Sequence, residues 1–187
     1  MPHLIETERL NLFLIEPEDL ITLFEEPENS RIYERKPFTN PYRVLIDDKG
    51  PLAWRVPQVK LDPSLNIWFI RWIVLKSTSE IVGSISFHAK PNEAGMIEIG
   101  LGISPEFQNN GYGSEALKGM WLWVIDQPGV SILRYTVSAT NQPSIAIISK
   151  FGFNHVGQQI DEEDGPEEIY EMSAEQFRST HQPTDNT

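Results

Sequence analysis

The stretch from Glu98 to Leu117, Glu-Ile-Gly-Leu-Gly-Ile-Ser-Pro-Glu-Phe-Gln-Asn-Asn-Gly-Tyr-Gly-Ser-Glu-Ala-Leu, most constrains what this chain can fold into. Ile97, Ile99, Leu101 and Ile103 alternate with Met96, Glu98, Gly100 and Gly102. A period-2 strand sends the branched residues to one face and Glu98, with two glycines, to the other. Glycine inside a strand often marks a close approach by a ligand or another backbone. An acid beside an open slot is therefore expected. Pro105 ends the strand, and Gln108-Asn109-Asn110-Gly111-Tyr112-Gly113-Ser114 leads into a helix whose apolar stripe is Tyr112, Ala116, Leu117, Met120, Trp121 and Val124. Glycines at the helix entry let unpaired N–H groups turn toward a phosphate, with the helix dipole adding favourable charge. The expected ligand is a pyrophosphate.

Two cofactor classes compete for that site. Gly111-x-Gly113-x-x-Ala116 also satisfies the dinucleotide fingerprint, which wants the glycines straight after a strand and an acid at the end of the next one. Seven residues, Ser104 to Asn110, separate strand from glycine, and the next strand, Ile132 to Ala139, has no acid. A nicotinamide-dinucleotide-binding enzyme therefore ranks second. No Gly-x-x-x-x-Gly-Lys-Ser/Thr stretch supports a nucleotide-triphosphate loop.

The Gln108-x-x-Gly111-x-Gly113 loop, with Gly100 and Pro105 before it, and the pair Asn141-Gln-Pro-Ser144 and Lys150-Phe-Gly152-Phe153 together make the chain resemble the GNAT superfamily of acetyl-CoA-dependent N-acetyltransferases, in its RimJ/RimL-like branch. The resemblance spans roughly Leu4 to Phe177. It implies a mixed α+β fold: a central, mostly antiparallel sheet of about seven strands, splayed at strands 4 and 5 and flanked by helices. It implies acetyl-CoA as cosubstrate, with backbone amides of Leu101, Gly102 and Ile103 on the pantetheine and Gln108, Asn109, Asn110, Gly111, Tyr112, Gly113 and Ser114 on the pyrophosphate. Asn141 reads either as a helix N-cap or as a hydrogen-bonding partner of the pantetheine arm, and both can hold. Lys150, with Lys118 and Arg134, is a nearby cation for an anionic cosubstrate.

Acetyl transfer to an amine needs a base, an oxyanion donor and a proton for the leaving thiolate. Glu98 is the expected general base; a structural salt bridge, for instance to Arg71, is the alternative. Many relatives carry a tyrosine as general acid in the helix after the asparagine. Here that stretch is Ile145-Ala146-Ile147-Ile148, which leaves Ser144 or water. Leu101-Gly102 also stands where branch members often have a bulky aromatic pair, so a roomier slot is expected. The acceptor is expected to be a primary amine, on a small molecule or a protein N-terminus. A non-catalytic acyl-CoA-binding module remains the alternative from another class.

The 187 residues suit a single domain, residues 1–187, with 179–187 as a polar tail. No cysteine is present, so an acyl-cysteine intermediate is excluded and a reducing compartment fits. The start lacks a secretory signal pattern, and no apolar run approaches ~18 residues. A soluble, cytoplasmic monomer or homodimer is expected. The net charge of −12 argues against a nucleic-acid partner. No metal is expected, because the histidines show no ligand spacing.

Along the rest of the chain, Leu10 to Ile15 reads as an opening strand and Leu20 to Phe24 as a short helix begun near Pro17. Six prolines between residues 27 and 66 suggest a long irregular segment, which is either an acceptor wall or a set of plugs over a core edge. Ile67–Leu75 and Ile81–His88 read as a hairpin, continued by the strand carrying Glu98. Trp68 and Trp72 read as core more readily than as slot lining, and His88 as structural. A strand at Ile132–Ala139, a helix from Asn141 to near Gly152, a pair at Val156–Ile160 and Glu168–Met172, and a short helix capped by Ser173 complete the pattern.

Overall fold

A computed structural model describes residues 4–162 and 165–182. Part of the acidic turn and the end of the polar tail lie outside the described residues. The strands are β1 (Leu4–Glu6), β2 (Leu10–Leu14), β3 (Arg71–Leu75), β4 (Ile81–Phe87), β5 (Met96–Ile103), β6 (Ile132–Ser138), β7 (Asn154–Asp161) and β8 (Gly165–Ser173). The helices are α1 (Pro17–Glu25), α2 (Leu52–Leu61), α3 (Tyr112–Val124), α4 (Gln142–Lys150) and α5 (Ala174–His181). The sheet order is β1-β2-β3-β4-β5-β6-β8-β7. Seven of these strands are the ones the sequence pattern predicts. The eighth, β1, is a three-residue strand antiparallel to β2, too short for periodicity to reveal.

The chain divides into two compact units, residues 4–90 with 101–120, and residues 91–100 with 121–182. In the first, β1 to β4 form an antiparallel meander. Pro17 opens α1 with Glu18 and Asp19 in the first turn, where acids suit the positive helix end. Leu20 and Leu23 of α1 are buried against Leu52, Val56 and Val59 of α2, with Phe69 and Trp72 in the same core. The 27–66 segment therefore holds a helix that its prolines conceal. Pro57 lies inside α2 and removes one backbone bond, a loss of roughly 3 kcal/mol. Burial of Leu52, Val56 and Val59, one stripe at helical spacing, offsets it.

Strand β3 begins later than predicted. Residues 63–68 form a 3-10 turn, started by the Asp62 carboxylate accepting from the Ser64 N–H at 3.0 Å, so Trp68 precedes the strand. Trp72 lies in the core at 2% exposure. Arg71 is wholly buried, and desolvation draws its guanidinium down to about 10.

In the second unit, β6 pairs with β8, and β8 with β7, both antiparallel. Trp121 is fully buried, with Phe151, Phe153 and Phe177 packed around its ring at centroid distances of 5.0, 4.7 and 5.6 Å. Asn141 caps α4 by accepting from the Ser144 N–H at 3.2 Å, and Gly152, at φ +82°, supplies the left-handed exit. Ser173 caps α5 by accepting from the Gln176 N–H at 3.1 Å.

The parallel ladder between β5 and β6 runs only from Met96↔Ile132 to Ile99↔Tyr135, although both strands continue beyond it. These are the fourth and fifth strands of the sequence-based count, where the splay was expected.

Candidate active site

The first unit carries the glycine-rich loop. The end of β5 approaches β4 so closely that a Cβ on Gly83 would sit 2.3 Å from the Gly102 carbonyl oxygen and 3.2 Å from Ile103 Cα. Ser104 N–H donates to the Val82 carbonyl at 2.8 Å. A Cβ on Gly102, by contrast, would meet nothing within 4 Å. Leu101 and Ile103 point the other way, toward Gly113 at the start of α3, whose Cβ would lie 3.3 Å from Leu101 Cδ1. The expected alternation thus holds: branched residues pack under α3, and Gly102 leaves its side of the strand open.

The loop itself sorts its polarity. The Gln108 amide donates to the Ile103 carbonyl at 3.0 Å, and the Asn110 amide to the Phe107 and Gln108 carbonyls at 3.2 and 3.0 Å. Asn109 and Gly111 take left-handed conformations, at φ +62° and +80°. The first helical bond of α3 runs from the Glu115 N–H to the Gly111 carbonyl at 3.0 Å, so the N–H groups of Gly111, Tyr112, Gly113 and Ser114 are the orphan donors of a helix start. Carbonyls are tied down by the protein's own amides, and donors are left over. Such a surface suits an anion. Side chains of Gln108 and Asn110 thus shape the loop, a role that spacing alone does not separate from ligand contact.

The second unit places Glu98, Asn141, Ser144 and Lys150. Glu98 is in register with Arg134, and Arg134 with Glu171, so the three share one face of the sheet. Arg134 is held by Glu171, at 2.6 Å from Nη2 and 2.8 Å from Nε. It is committed to a sheet ion pair rather than standing as a spare cation. Glu98 is half-buried, as its open-faced position on the strand predicts.

Ser144 lies in the first turn of α4; burial pushes the Tyr135 phenol up, and the neighbouring Ser144 side chain partly draws it back. Tyr135 lies in register with Ile99, so it faces away from Glu98 across the β5–β6 pair. Asn141 and Lys150 sit at opposite ends of α4, and Lys150 is exposed. Within the described residues no cluster of three or more metal-ligating side chains occurs, and no helix is long and apolar enough to cross a membrane. His155 is engaged by Glu168, and His181 by the Phe151 carbonyl at 2.9 Å.

An open sheet of eight strands in this order, flanked by helices, is a GNAT-like fold. Residues 9–154 match the Acetyltransferase (GNAT) domain, and the chain belongs to that family. It is 25% identical over 154 residues to the N-acetyltransferase p20 of Bacillus licheniformis, described as uncharacterized, covering 81% of this chain and 82% of that protein. It is 34% identical over 89 residues to YoaA of Bacillus subtilis (strain 168), an N-acetyltransferase also described as uncharacterized, covering 47% of this chain. That match spans only half of YoaA, at 50% of its length. Among solved structures, a GNAT-family acetyltransferase from Bacillus anthracis superposes with a TM-score of 0.61 at 23% identity, covering 92% of this chain and 99% of that one. RimL, a ribosomal L7/L12 α-N-protein acetyltransferase solved with coenzyme A, superposes with a TM-score of 0.62 at 15% identity, covering 91% and 97%. At those identities the structural likeness speaks to the fold.

Proposed function

We propose that this chain, acting as a single domain, is an acetyl-CoA-dependent N-acetyltransferase that transfers an acetyl group to a primary amine on a small molecule or a protein N-terminus. The observation that carries the reading is the loop whose carbonyls are satisfied by Gln108 and Asn110 while the N–H groups from Gly111 to Ser114 remain as donors. The donor set fits a diphosphate, and the open side of Gly102 fits a narrow arm lying along the end of β5.

In this reading Gln108, Asn109, Asn110, Gly111, Tyr112, Gly113 and Ser114 hold the diphosphate. Main-chain amides of Leu101, Gly102 and Ile103 align the pantetheine, with Asn141 as a further partner and Lys150 as a cation for the nucleotide end. Acetyl-CoA supplies an activated acetyl group as a thioester. Glu98 accepts the proton of the incoming ammonium, directly or through water, and so keeps the amine nucleophilic. Ser144 Oγ, reprotonated from solvent, or a water molecule delivers a proton to the leaving sulfur. With no cysteine in the chain, the amine attacks directly.

Titration calorimetry with acetyl-CoA and with NAD tests the ligand, and thiol release across a panel of amines and peptides tests the chemistry. Acetyl-CoA binding with amine-dependent release is expected. Binding of NAD without CoA would end the proposal, and CoA binding without any release would make the chain a binding module. Two glycines offer a finer check by thermal melts and CoA titration. Gly83→Ala forces a methyl onto backbone and should destabilise by about 1–3 kcal/mol. Gly102→Ala should melt within about 0.5 kcal/mol of wild type, yet bind CoA more weakly, because its methyl enters the arm's path.

A further inference from the structure

Arg9, in the turn between β1 and β2, reaches the glycine-rich loop that leads into α3. Its backbone N–H donates to Glu115 Oε1 at 2.7 Å, its Nε to Glu115 Oε2 at 2.7 Å, and its Nη1 to the Asn110 carbonyl at 3.0 Å. The guanidinium lies 4.6 Å over the Tyr112 ring. A Cβ on Gly111 would come within 3.3 Å of Arg9 Nη2. Thr7 Oγ1 donates to Glu115 Oε1 at 2.6 Å, and a Cβ on Gly119 would strike Thr7 Cγ2 at 2.7 Å, so this turn is pressed against α3. Burial pushes the Glu115 carboxyl up, but hydrogen bonds from Thr7 and from both groups of Arg9 outweigh it and hold the acid below the usual range. The carboxylate is therefore ionised at neutral pH and able to anchor the arginine.

We propose that Arg9, anchored by Glu115 and Thr7, is a positioning residue for the acetyl-CoA site. It ties down the Asn110 carbonyl, which shares its peptide group with the Gly111 N–H, the first of the orphan donors, and braces Tyr112 at the first position of the helix. The inference rests on the acetyl-CoA reading above. Three chemistries meet in one side chain: a charge-assisted bond to a carboxylate, a bond to a carbonyl, and a cation over a ring face. A guanidinium can serve all three at once, because its donors project in a fixed planar fork. A lysine ammonium is a point charge that cannot. Because Arg9 is itself paired with Glu115 at 2.7 Å, it serves the loop by fixed geometry and not as a spare charge.

The test compares wild type, Arg9→Gln, Arg9→Lys, Glu115→Gln and the Arg9→Gln/Glu115→Gln double variant. CoA affinity is measured by calorimetry, and hydrogen exchange of the first bonded amides of α3, Glu115 to Lys118, is followed in the free protein. Arg9→Gln and Glu115→Gln should each weaken CoA about tenfold. The double variant should be no weaker than either single one. Amides at the helix entry should exchange faster in every variant, and Arg9→Lys should fall with Arg9→Gln rather than with wild type. Wild-type affinity in Arg9→Gln overturns the proposal. Full retention in Arg9→Lys also overturns it, because charge alone would then suffice, and so does weaker binding without faster exchange. Where Arg9→Gln is too unstable to titrate, Arg9→Lys decides in its place by the same two readouts. Failure of wild type to bind CoA is a separate outcome, which removes the underlying reading itself.

Discussion

Replacing Glu98 by Gln is expected to lower turnover by about 10²–10⁴-fold, the usual contribution of a positioned general base, while CoA affinity stays within about twofold of wild type. The substitution is nearly isosteric and removes the negative charge together with the ability to take a proton. Its register neighbour Arg134 keeps a carboxylate partner in Glu171, at 2.6 Å, so the sheet pair does not collapse with the charge. Steady-state kinetics over a range of amine and acetyl-CoA concentrations separates the effects. A fall in kcat with the acetyl-CoA KM unchanged identifies a base. A rise in the cosubstrate KM or a lower melting temperature, with kcat preserved, identifies a structural acid and removes Glu98 from the mechanism. The rate should recover at higher pH in the variant, because the amine then loses its proton to solvent without help.

Trp121→Ala is expected to cost about 3–5 kcal/mol, a large share of the roughly 5–15 kcal/mol that holds a domain together. The indole is fully buried, and four aromatic rings, Tyr135, Phe151, Phe153 and Phe177, pack within 6.4 Å of it between centroids. Those rings belong to β6, to α5 and to the segment joining α4 to β7, so no single element can shift to fill the space left. Urea denaturation followed by fluorescence or circular dichroism measures the loss. Trp54→Ala is the matched control. At 62% exposure it should change stability by less than about 0.5 kcal/mol. Equal losses at the two positions would show that the aromatic cluster is not the anchor of its unit.

Much of this was legible in residue order. The strand carrying Glu98, the helix from Tyr112, the capped helix after Asn141 and the closing helix after Ser173 all announce themselves by period, by cap and by glycine exit. What stayed hidden has physical causes. Helix α2 was masked because Pro57 outweighs the Leu52, Val56 and Val59 stripe when residues are weighed one at a time, whereas burial against α1 reverses the balance. Ile67 and Trp68 look like strand by composition, yet Asp62 starts a 3-10 turn that uses them first. Arg9 and Glu115 lie 106 positions apart, and no local pattern can bring them together. Tyr135 looks like core and is core.

In the proposed reading the loop from Gln108 to Ser114 grips its ligand through main-chain dipoles, and dipoles act at short range. From a distance, an incoming polyanion meets a chain of net charge −12, and is repelled until it nears the glycines. Dissolved salt shortens that repulsion, with a Debye length of about 10 Å at 0.1 M, while doing far less to contacts already formed. Cosubstrate capture should therefore quicken as ionic strength rises, the reverse of a lysine-lined trap, and stopped-flow mixing at several salt concentrations would display it. A cationic amine approaching the same protein would be slowed by the same salt.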